Sequence, residues 1–263
     1  VRNSLWRAML AGHLSANPQD TCVGIVGVGH VGSAVSHALR AEGFRTLHCD
    51  PPKGEPATLA ELARECQVIT LHTPLTTEGE HATFHLANAE FFASLRQCSV
   101  FINAARGECT DTGALKSAIK SGKMTCAVID TWENEPNIDR ELLDLAFIAT
   151  PHIAGYSADG KANGTRMSLQ HVIDHFRPTP CPQLSVQAPN LPSNFDYAQE
   201  VISQLPASFS ASYPWLSPEI TAILPHNALS QLRQYDALAD TFRLRSAPES
   251  FEFQRGHYPL RRE

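Results

Sequence analysis

Short apolar runs alternate with helix-like segments over the first 150 residues of the chain. The runs are five to eight residues long, as is typical of buried strands, and the segments between them repeat apolar residues at helical spacing. Strands are predicted at 21–28, 45–49, 68–73, 99–105, 125–131 and 146–150, and helices at 31–42, 58–66, 87–96, 111–121 and 139–145. Strands that alternate with helices form parallel sheets covered on both faces, so the pattern predicts a doubly wound α/β fold.

Three further segments lie outside this alternation. Apolar side chains recur at helical spacing at the start of the chain, and proline interrupts the sequence repeatedly after residue 176. A long helix precedes the prolines, and its predicted buried face carries Leu169, Val172, Ile173 and Phe176. We therefore divide the chain into a connecting helix at 1–19, a sheet domain at 20–157, a crossing helix at 158–176, a proline-rich linker at 177–194 and a small C-terminal α+β domain at 195–263.

Charge and cysteine content narrow the function classes. With 263 residues and a net charge of −6, the chain has no excess of basic residues that would favour nucleic acid or an acidic membrane. No apolar run approaches the roughly 20 residues of a membrane span. The seven cysteines form no CxxC pair, which favours free thiols and a cytoplasmic location. His81/His85 and His171/His175 have helical spacing but no third ligand, so no metal site is predicted.

A glycine-rich segment, GIVGVGHVG, joins the first predicted strand to the first helix of the sheet. Its three glycines permit a tight turn, close approach of the backbone to a pyrophosphate, and close packing of helix on strand. Asp50 ends the second strand, 18 residues after the last glycine, where an acid accepts hydrogen bonds from the adenosine ribose and disfavours a 2′-phosphate. NAD is therefore the expected cofactor, although Lys53 nearby leaves some tolerance of NADP open. The residues predicted to line this site are Gly27, Gly29, His30, Val31, Gly32 and Asp50.

Three side chains follow successive strands at the edge where this fold places its chemistry. Arg106 follows the fourth strand, Glu135 the fifth and His152 the sixth. An arginine can hold a substrate carboxylate through two parallel hydrogen bonds, and a histidine can take the proton of a hydroxyl group as hydride leaves the carbon. A carboxylate beside the imidazole orients it. Each residue alone is more often structural, but together they predict a site for a 2-hydroxy acid.

The segments INAARGECTD, AVIDTWENEP and TPHIAGYSADGKANGT resemble the D-isomer-specific 2-hydroxyacid dehydrogenases, strongly over about residues 20–176 and weakly beyond. The resemblance implies a Rossmann-type NAD-binding domain and a C-terminal domain that forms a homodimer. The segments CDPP, HTPLTTEG, HIAGYS and the ending YPLRRE favour the members of this family that act on a phosphorylated four-carbon 2-hydroxy acid.

The same resemblance implies a role for each matching residue. Arg106 matches the catalytic arginine, Glu135 rather than Glu133 the acid paired with histidine, and His152 the proton donor and acceptor. The remaining positions match contacts to NAD, at Asp50, Thr73, Asp130 and Gly155, and a contact to substrate, at Tyr156.

One departure from the family changes the expected activity. Family members carry a substrate-binding lobe before the NAD-binding domain, and only about 20 residues precede the first strand here. We therefore expect that most of this lobe is missing, and that the chain alone has weak or absent dehydrogenase activity, because lobe closure excludes water from such sites. Two alternatives remain: a dehydrogenase of phosphoglycerate or of glyoxylate and hydroxypyruvate, and a non-catalytic module that senses NAD.

Overall fold

The computed structural model describes residues 1–155, 158–180, 183, 185–187 and 251–256. Six strands form one sheet: β1 (Cys22–Val26), β2 (Arg45–Cys49), β3 (Val68–Leu71), β4 (Val100–Asn103), β5 (Cys126–Ile129) and β6 (Ile148–Ala149). The helices are α1 (Arg2–Leu10), α2 (His30–Ala41), α3 (Leu59–Glu65), α4 (Ala89–Ser94), α5 (Thr112–Lys120), α6 (Arg140–Leu145), α7 (Ala158–Phe176) and α8 (Phe251–Gly256), with short 3-10 turns at Pro18–Asp20, Pro51–Lys53 and Gly107–Cys109.

All strand pairs in the sheet are parallel, in the order β2-β1-β3-β4-β5-β6. The predicted doubly wound parallel sheet is therefore confirmed. Strands β1, β3, β4 and β5 are buried along their whole length, as expected of strands covered by helices on both faces. Strand β2 ends at Cys49, as predicted, and the other five strands stop one or two residues before the predicted ends, because those last residues leave the sheet and form the loops at its carboxyl edge.

Helix α1 packs tightly on one face of the sheet. Leu5, Trp6 and Met9 are buried in the same cluster as Val23 of β1. The indole of Trp6 also donates a 2.8 Å hydrogen bond to the carboxylate of Glu42, at the end of α2. The predicted helix is therefore present, and its apolar side chains contribute to the core of the sheet domain. The predicted boundary at residues 19 and 20 stays a prediction.

A second cluster fills the opposite face of the sheet, between the strands and α3 to α6. Its largest side chains include Phe101 and Trp132, and it also contains Phe251 from α8, which is fully buried. The sequence did not lead us to expect this contact, because residues 195–263 were assigned to a separate domain. The six described cysteines are buried and none forms a disulfide, and Cys181 lies outside the described residues.

The predicted buried face of α7 is wrong for the part of the chain that the structure describes. Leu169 and Val172 are exposed, Ile173 is half-buried, and Phe176 is 73% exposed. Helical spacing identifies which side of a helix is apolar, but it does not supply an element that covers that side. None of the described helices is long and apolar enough to cross a membrane.

His72 at the end of β3 gives the sheet domain a pH-dependent stability. Burial lowers the pKa of this imidazole from 6.5 to about 4. The unfolded chain takes up a proton near pH 6.5, whereas the folded protein keeps His72 neutral until about pH 4. Its contribution is therefore complete above pH 6.5 and is lost as the pH falls towards 4.

We expect the free energy of unfolding to fall by about 2 kcal/mol between pH 7 and pH 5 through this residue. Urea unfolding of the wild type and of His72→Gln at both pH values measures the difference, which should be smaller in the variant. His37→Gln, at an exposed position of α2, is the matched control and should keep the full pH dependence. An unchanged pH dependence in His72→Gln would contradict this assignment.

Candidate active site

The glycine-rich loop between β1 and α2 has the geometry of a dinucleotide cradle. Gly27 has φ +87°, and a side chain there would lie 2.8 Å from the backbone carbonyl of His72. A side chain at Gly32 would overlap the carbonyl oxygen of Gly27, so the helix can approach the loop only with glycine there. Gly29, in contrast, faces open space. The two positions that pack closely and the one that stays open match the three roles predicted for these glycines.

The start of α2 leaves its first turn available to an anion. Gly29 is the N-cap residue and has no side chain that could accept a hydrogen bond from the helix. His30 and Val31 in the first turn are both exposed, and Val31 is an exposed apolar residue beside the open position at Gly29. Helix N-termini of this kind bind phosphate through unpaired N–H groups and the helix dipole. The residues present therefore fit the pyrophosphate of NAD.

Asp50 lies across the glycine-rich loop at the end of β2. One oxygen of its carboxylate, Oδ2, accepts a 2.7 Å hydrogen bond from the backbone N–H of Val28, between Gly27 and Gly29. Since a carboxylate has about four acceptor positions, the group can bind the loop and still accept hydrogen bonds from ribose hydroxyls. The structure thus places the predicted ribose acceptor directly beside the predicted pyrophosphate loop.

Two other predicted contacts to NAD lie in loops at the same edge of the sheet. Thr73 follows β3, is half-buried, and has its hydroxyl oxygen 3.6 Å from the thiol sulfur of Cys109. Gly155 follows β6 and faces open space. Tyr156, the predicted substrate contact, lies outside the described residues.

His152 and Glu135 form a hydrogen-bonded pair. Nδ1 of His152 lies 2.8 Å from Oε2 of Glu135, and both side chains are mostly buried. The other carboxylate oxygen of Glu135 accepts a 2.8 Å hydrogen bond from the backbone N–H of Trp132. Because Nδ1 contacts the carboxylate, Nε2 is the nitrogen left to exchange a proton with a ligand. The choice of Glu135 over Glu133 as the partner of His152 agrees with this geometry.

Asp130 holds the segment that carries His152. Its Oδ1 accepts hydrogen bonds from the Thr150 hydroxyl at 2.7 Å and the Ile153 N–H at 2.8 Å, and its Oδ2 accepts one from the Ala154 N–H at 3.0 Å. The backbone carbonyl of Asp130 also accepts a 2.7 Å hydrogen bond from the His152 N–H. His152 has φ +53°, an uncommon conformation for a residue with a side chain. These hydrogen bonds keep the backbone of His152 in that conformation.

Arg106 begins the 3-10 turn after β4 and is exposed. Its guanidinium donates a 2.7 Å hydrogen bond to the backbone carbonyl of Ala105, which leaves further donors for a carboxylate. The next residue, Gly107, packs so closely on Trp132 that a side chain at this position would overlap the Trp132 carbonyl group. The loops that carry Arg106 and Glu135 are therefore in direct backbone contact.

Asn103 at the end of β4 is a positioning residue that the sequence did not reveal. Its amide group donates to the Arg106 carbonyl at 2.9 Å and to the Thr110 hydroxyl at 3.1 Å. Its carbonyl oxygen accepts from the Ala105 N–H and from the Thr131 hydroxyl, each at 3.1 Å. This buried side chain links the loop after β4 to the loop after β5. The asparagine within INAARG was visible in the sequence, but its distant partner Thr131 becomes a neighbour only in the folded sheet.

A second histidine–glutamate pair uses Glu133, two residues before the glutamate of the first pair. Nε2 of His85 is 2.6 Å from Oε1 of Glu133, whose Oε2 accepts a 2.8 Å hydrogen bond from the N–H of Thr112 at the start of α5. The ring of His85 stacks on Phe84. Glu133 therefore connects two loops, while Glu135, two residues later, faces His152.

The structure does not support a metal site at the paired histidines within the described residues. No group of three or more histidine, cysteine or acidic side chains there could hold an ion. His81 and His85 lie in a loop rather than on a helix, so the spacing argument does not apply to them.

Comparisons with known proteins show which family the chain resembles. The family model described as D-isomer specific 2-hydroxyacid dehydrogenase, NAD binding domain, matches residues 1–154. An erythronate-4-phosphate dehydrogenase of Bacteroides thetaiotaomicron is 41% identical over an alignment of 265 positions, gaps included. The alignment covers 98% of this chain and 67% of that protein. The one of Chromohalobacter salexigens is 37% identical over 248 residues, which cover 92% of this chain and 61% of that protein. The chain thus spans about two thirds of the length of these curated relatives.

Solved structures show the same fold. D-lactate dehydrogenase with NAD+ from Lactobacillus jensenii has a TM-score of 0.55 at 27% identity, covering 64% of this chain and 61% of its own. D-lactate dehydrogenase from Aquifex aeolicus, complexed with NAD and lactic acid, has a TM-score of 0.52 at 30% identity, covering 62% and 55%.

The contact between Gly107 and Trp132 gives a direct test of how the two loops are joined. We expect Gly107→Ala to lower the free energy of unfolding by at least about 2 kcal/mol, because the added methyl group overlaps rigid backbone. Gly164→Ala, in α7, is the matched control, since a side chain there meets open space and alanine favours a helix by up to about 1 kcal/mol. Urea unfolding of both variants measures the effects. A Gly107→Ala variant as stable as the wild type would show that the loops are not packed in this way.

Proposed function

Because the chain belongs to the D-isomer-specific 2-hydroxyacid dehydrogenase family, we propose that it takes part in the NAD-dependent oxidation of 4-phospho-D-erythronate. The product would be (R)-3-hydroxy-2-oxo-4-phosphobutanoate, an intermediate of pyridoxal 5′-phosphate (vitamin B6) biosynthesis. The observation that carries the proposal is the pairing of His152 with Glu135 at the sheet edge that also holds the glycine-rich loop. Since the chain spans only about two thirds of its curated relatives, this activity is proposed for the protein rather than established.

The choice of substrate rests on how far the similarity extends. The family model ends at residue 154, in the part that all these dehydrogenases share. The similarity to erythronate-4-phosphate dehydrogenases continues through the C-terminal part and covers 98% of the chain in one relative. A phosphoglycerate or glyoxylate/hydroxypyruvate dehydrogenase is the nearest alternative. Comparing the turnover rates with the substrates of each enzyme distinguishes this alternative from the proposed activity.

The cofactor is proposed to lie along the carboxyl edge of the sheet. Gly27, Gly29 and Gly32, with the exposed first turn of α2, would hold the pyrophosphate. Asp50 would accept hydrogen bonds from the adenosine ribose. Bound NAD would supply the hydride acceptor for C2 of the substrate. The further proposed contacts to NAD are His30, Val31, Thr73, Asp130 and Gly155.

The chain's own residues would then perform the binding and proton transfer. Arg106 has guanidinium donors that none of the described residues occupies, and it would hold the substrate carboxylate through two parallel hydrogen bonds. Nε2 of His152 would take the proton of the C2 hydroxyl, while Glu135 fixes the ring orientation and stabilises the protonated imidazole. Tyr156 is proposed to contact the substrate. The positive charge that would form on the imidazole of His152 during oxidation would thus lie beside the carboxylate of Glu135.

The assembly and location of the protein are further parts of the proposal. By similarity to its family, the C-terminal segment 195–263 would form a homodimer, and the protein would act in the cytoplasm. Only residues 251–256 of that segment are among those described, and there Phe251 packs into the sheet domain.

The assay follows NADH formation from 4-phospho-D-erythronate. In separate reactions, 3-phosphoglycerate and glycolate, the reduced form of glyoxylate, are tested as alternative substrates. We expect turnover, weak for this chain as the sequence predicts, to be fastest with 4-phospho-D-erythronate. It should fall by about 10²- to 10⁴-fold in His152→Ala, because the general base is lost. His37→Ala, at an exposed position of α2, is the matched control and should keep the wild-type rate.

Two outcomes would contradict the proposal. Turnover that survives in His152→Ala would remove the assigned base. A protein that binds NAD but oxidises none of the acids, even when it is produced with any coding sequence that precedes Val1, would favour a non-catalytic module that senses NAD.

A further inference from the structure

Val28, between the first two glycines of the dinucleotide loop, is held on its N–H and on its carbonyl oxygen by two opposite charges. The N–H of Val28 donates to the carboxylate of Asp50 at 2.7 Å. The ammonium of Lys53 donates to the carbonyl oxygen of the same residue at 2.9 Å. A carboxylate and an ammonium group therefore both lie against the loop that is proposed to bind the dinucleotide.

Asp50 and Lys53 belong to one short, stiff turn. Pro51 and Pro52 follow Asp50 directly, and their rings fix the backbone angle φ of the 3-10 turn Pro51–Lys53. The N–H of Lys53 donates to the carbonyl of Asp50 at 2.9 Å, and Gly54 ends the turn with φ +74°. The position of the ammonium relative to the carboxylate is thus set by the turn as well as by the contact with Val28.

The ammonium of Lys53 has capacity for an anionic ligand. Lys53 is an exposed residue, and it forms no salt bridge with any carboxylate among the described residues. An ammonium group has three N–H donors, and only one of them is used by the Val28 carbonyl. Two donors and a full positive charge therefore remain at the side of the site where Asp50 is proposed to bind the adenosine ribose.

We propose that Lys53 recognises the 2′-phosphate of NADP(H), so that the site accepts this dinucleotide as well as NAD(H). A 2′-phosphate carries a charge of about −1.5 to −2 at neutral pH. Asp50 repels it and Lys53 attracts it, so the opposed charges make the preference for NAD(H) moderate rather than absolute. The inference rests on the proposed function only in that the loop must bind a dinucleotide, and it requires no turnover.

The test is a fluorescence titration that gives Kd for NADH and for NADPH at low ionic strength. We expect the wild type to bind both, with NADH the tighter ligand. Lys53→Met keeps the length of the side chain but removes the charge, and should raise Kd for NADPH by about tenfold or more, the size of one hydrogen bond to a charged group. Its Kd for NADH should change by less than about threefold, since a neutral hydroxyl gains less from a charged donor.

Two further variants control for charge and for folding. Lys123→Met removes an exposed lysine in the loop between α5 and β5, at the edge of the sheet opposite the dinucleotide loop. This variant should change neither Kd. Lys53→Arg keeps the positive charge and should retain most of the NADPH affinity. Added salt should weaken NADPH binding to the wild type more than to Lys53→Met, because the screened attraction is absent from the variant.

Four results would overturn the inference. Equal losses for NADH and NADPH in Lys53→Met would show that Lys53 only holds the loop through Val28. Wild-type protein that binds NADH but no NADPH would show that Asp50 alone decides the preference. Lys123→Met that matches Lys53→Met would reduce the effect to net charge. A wild type that binds neither dinucleotide would instead contradict the proposed function itself, and the inference with it.

Discussion

The parallel direction of all six strands is the constraint on which the rest of the structure depends. It brings every strand's carboxyl end to the same edge of the sheet, and the order β2-β1-β3-β4-β5-β6 determines which loops become neighbours there. Strands β4, β5 and β6 are adjacent, so the loops bearing Arg106, Glu135 and His152 follow one another along that edge. The glycine-rich loop and Asp50 follow β1 and β2 on the other side of β3.

Buried polar groups then hold these loops in one arrangement. Asp130 accepts three hydrogen bonds through its carboxylate from the segment around His152, and Asn103 uses its whole amide group to join the loops after β4 and β5. A buried polar group that loses its partner costs about 1–3 kcal/mol, so loops joined in this way move together. The positive φ of His152 persists under this constraint. The side chains proposed to act on substrate are thus positioned before any ligand binds.

Features encoded by short stretches of sequence could be predicted, and features that depend on distant contacts could not. The six strands, the helices between them and the glycine-rich loop follow local patterns, and all are present. The contact of Lys53 with Val28, the pairing of His85 with Glu133 and the hydrogen bond between Asn103 and Thr131 join residues that only the folded chain brings together. The prediction of a buried face on α7 was wrong for a related reason. Whether Val172 and Phe176 are buried depends on an element that packs against the helix, and both side chains are exposed.

We conclude that the dinucleotide cradle and the Arg106, Glu135 and His152 side chains form one continuous site. A crystal structure of the chain grown with NAD is the decisive test. We expect the pyrophosphate at the start of α2, the adenosine ribose at Asp50 and the nicotinamide ring beside the loops of Arg106 and His152. A dinucleotide bound elsewhere, or one whose nicotinamide points away from His152, would contradict it.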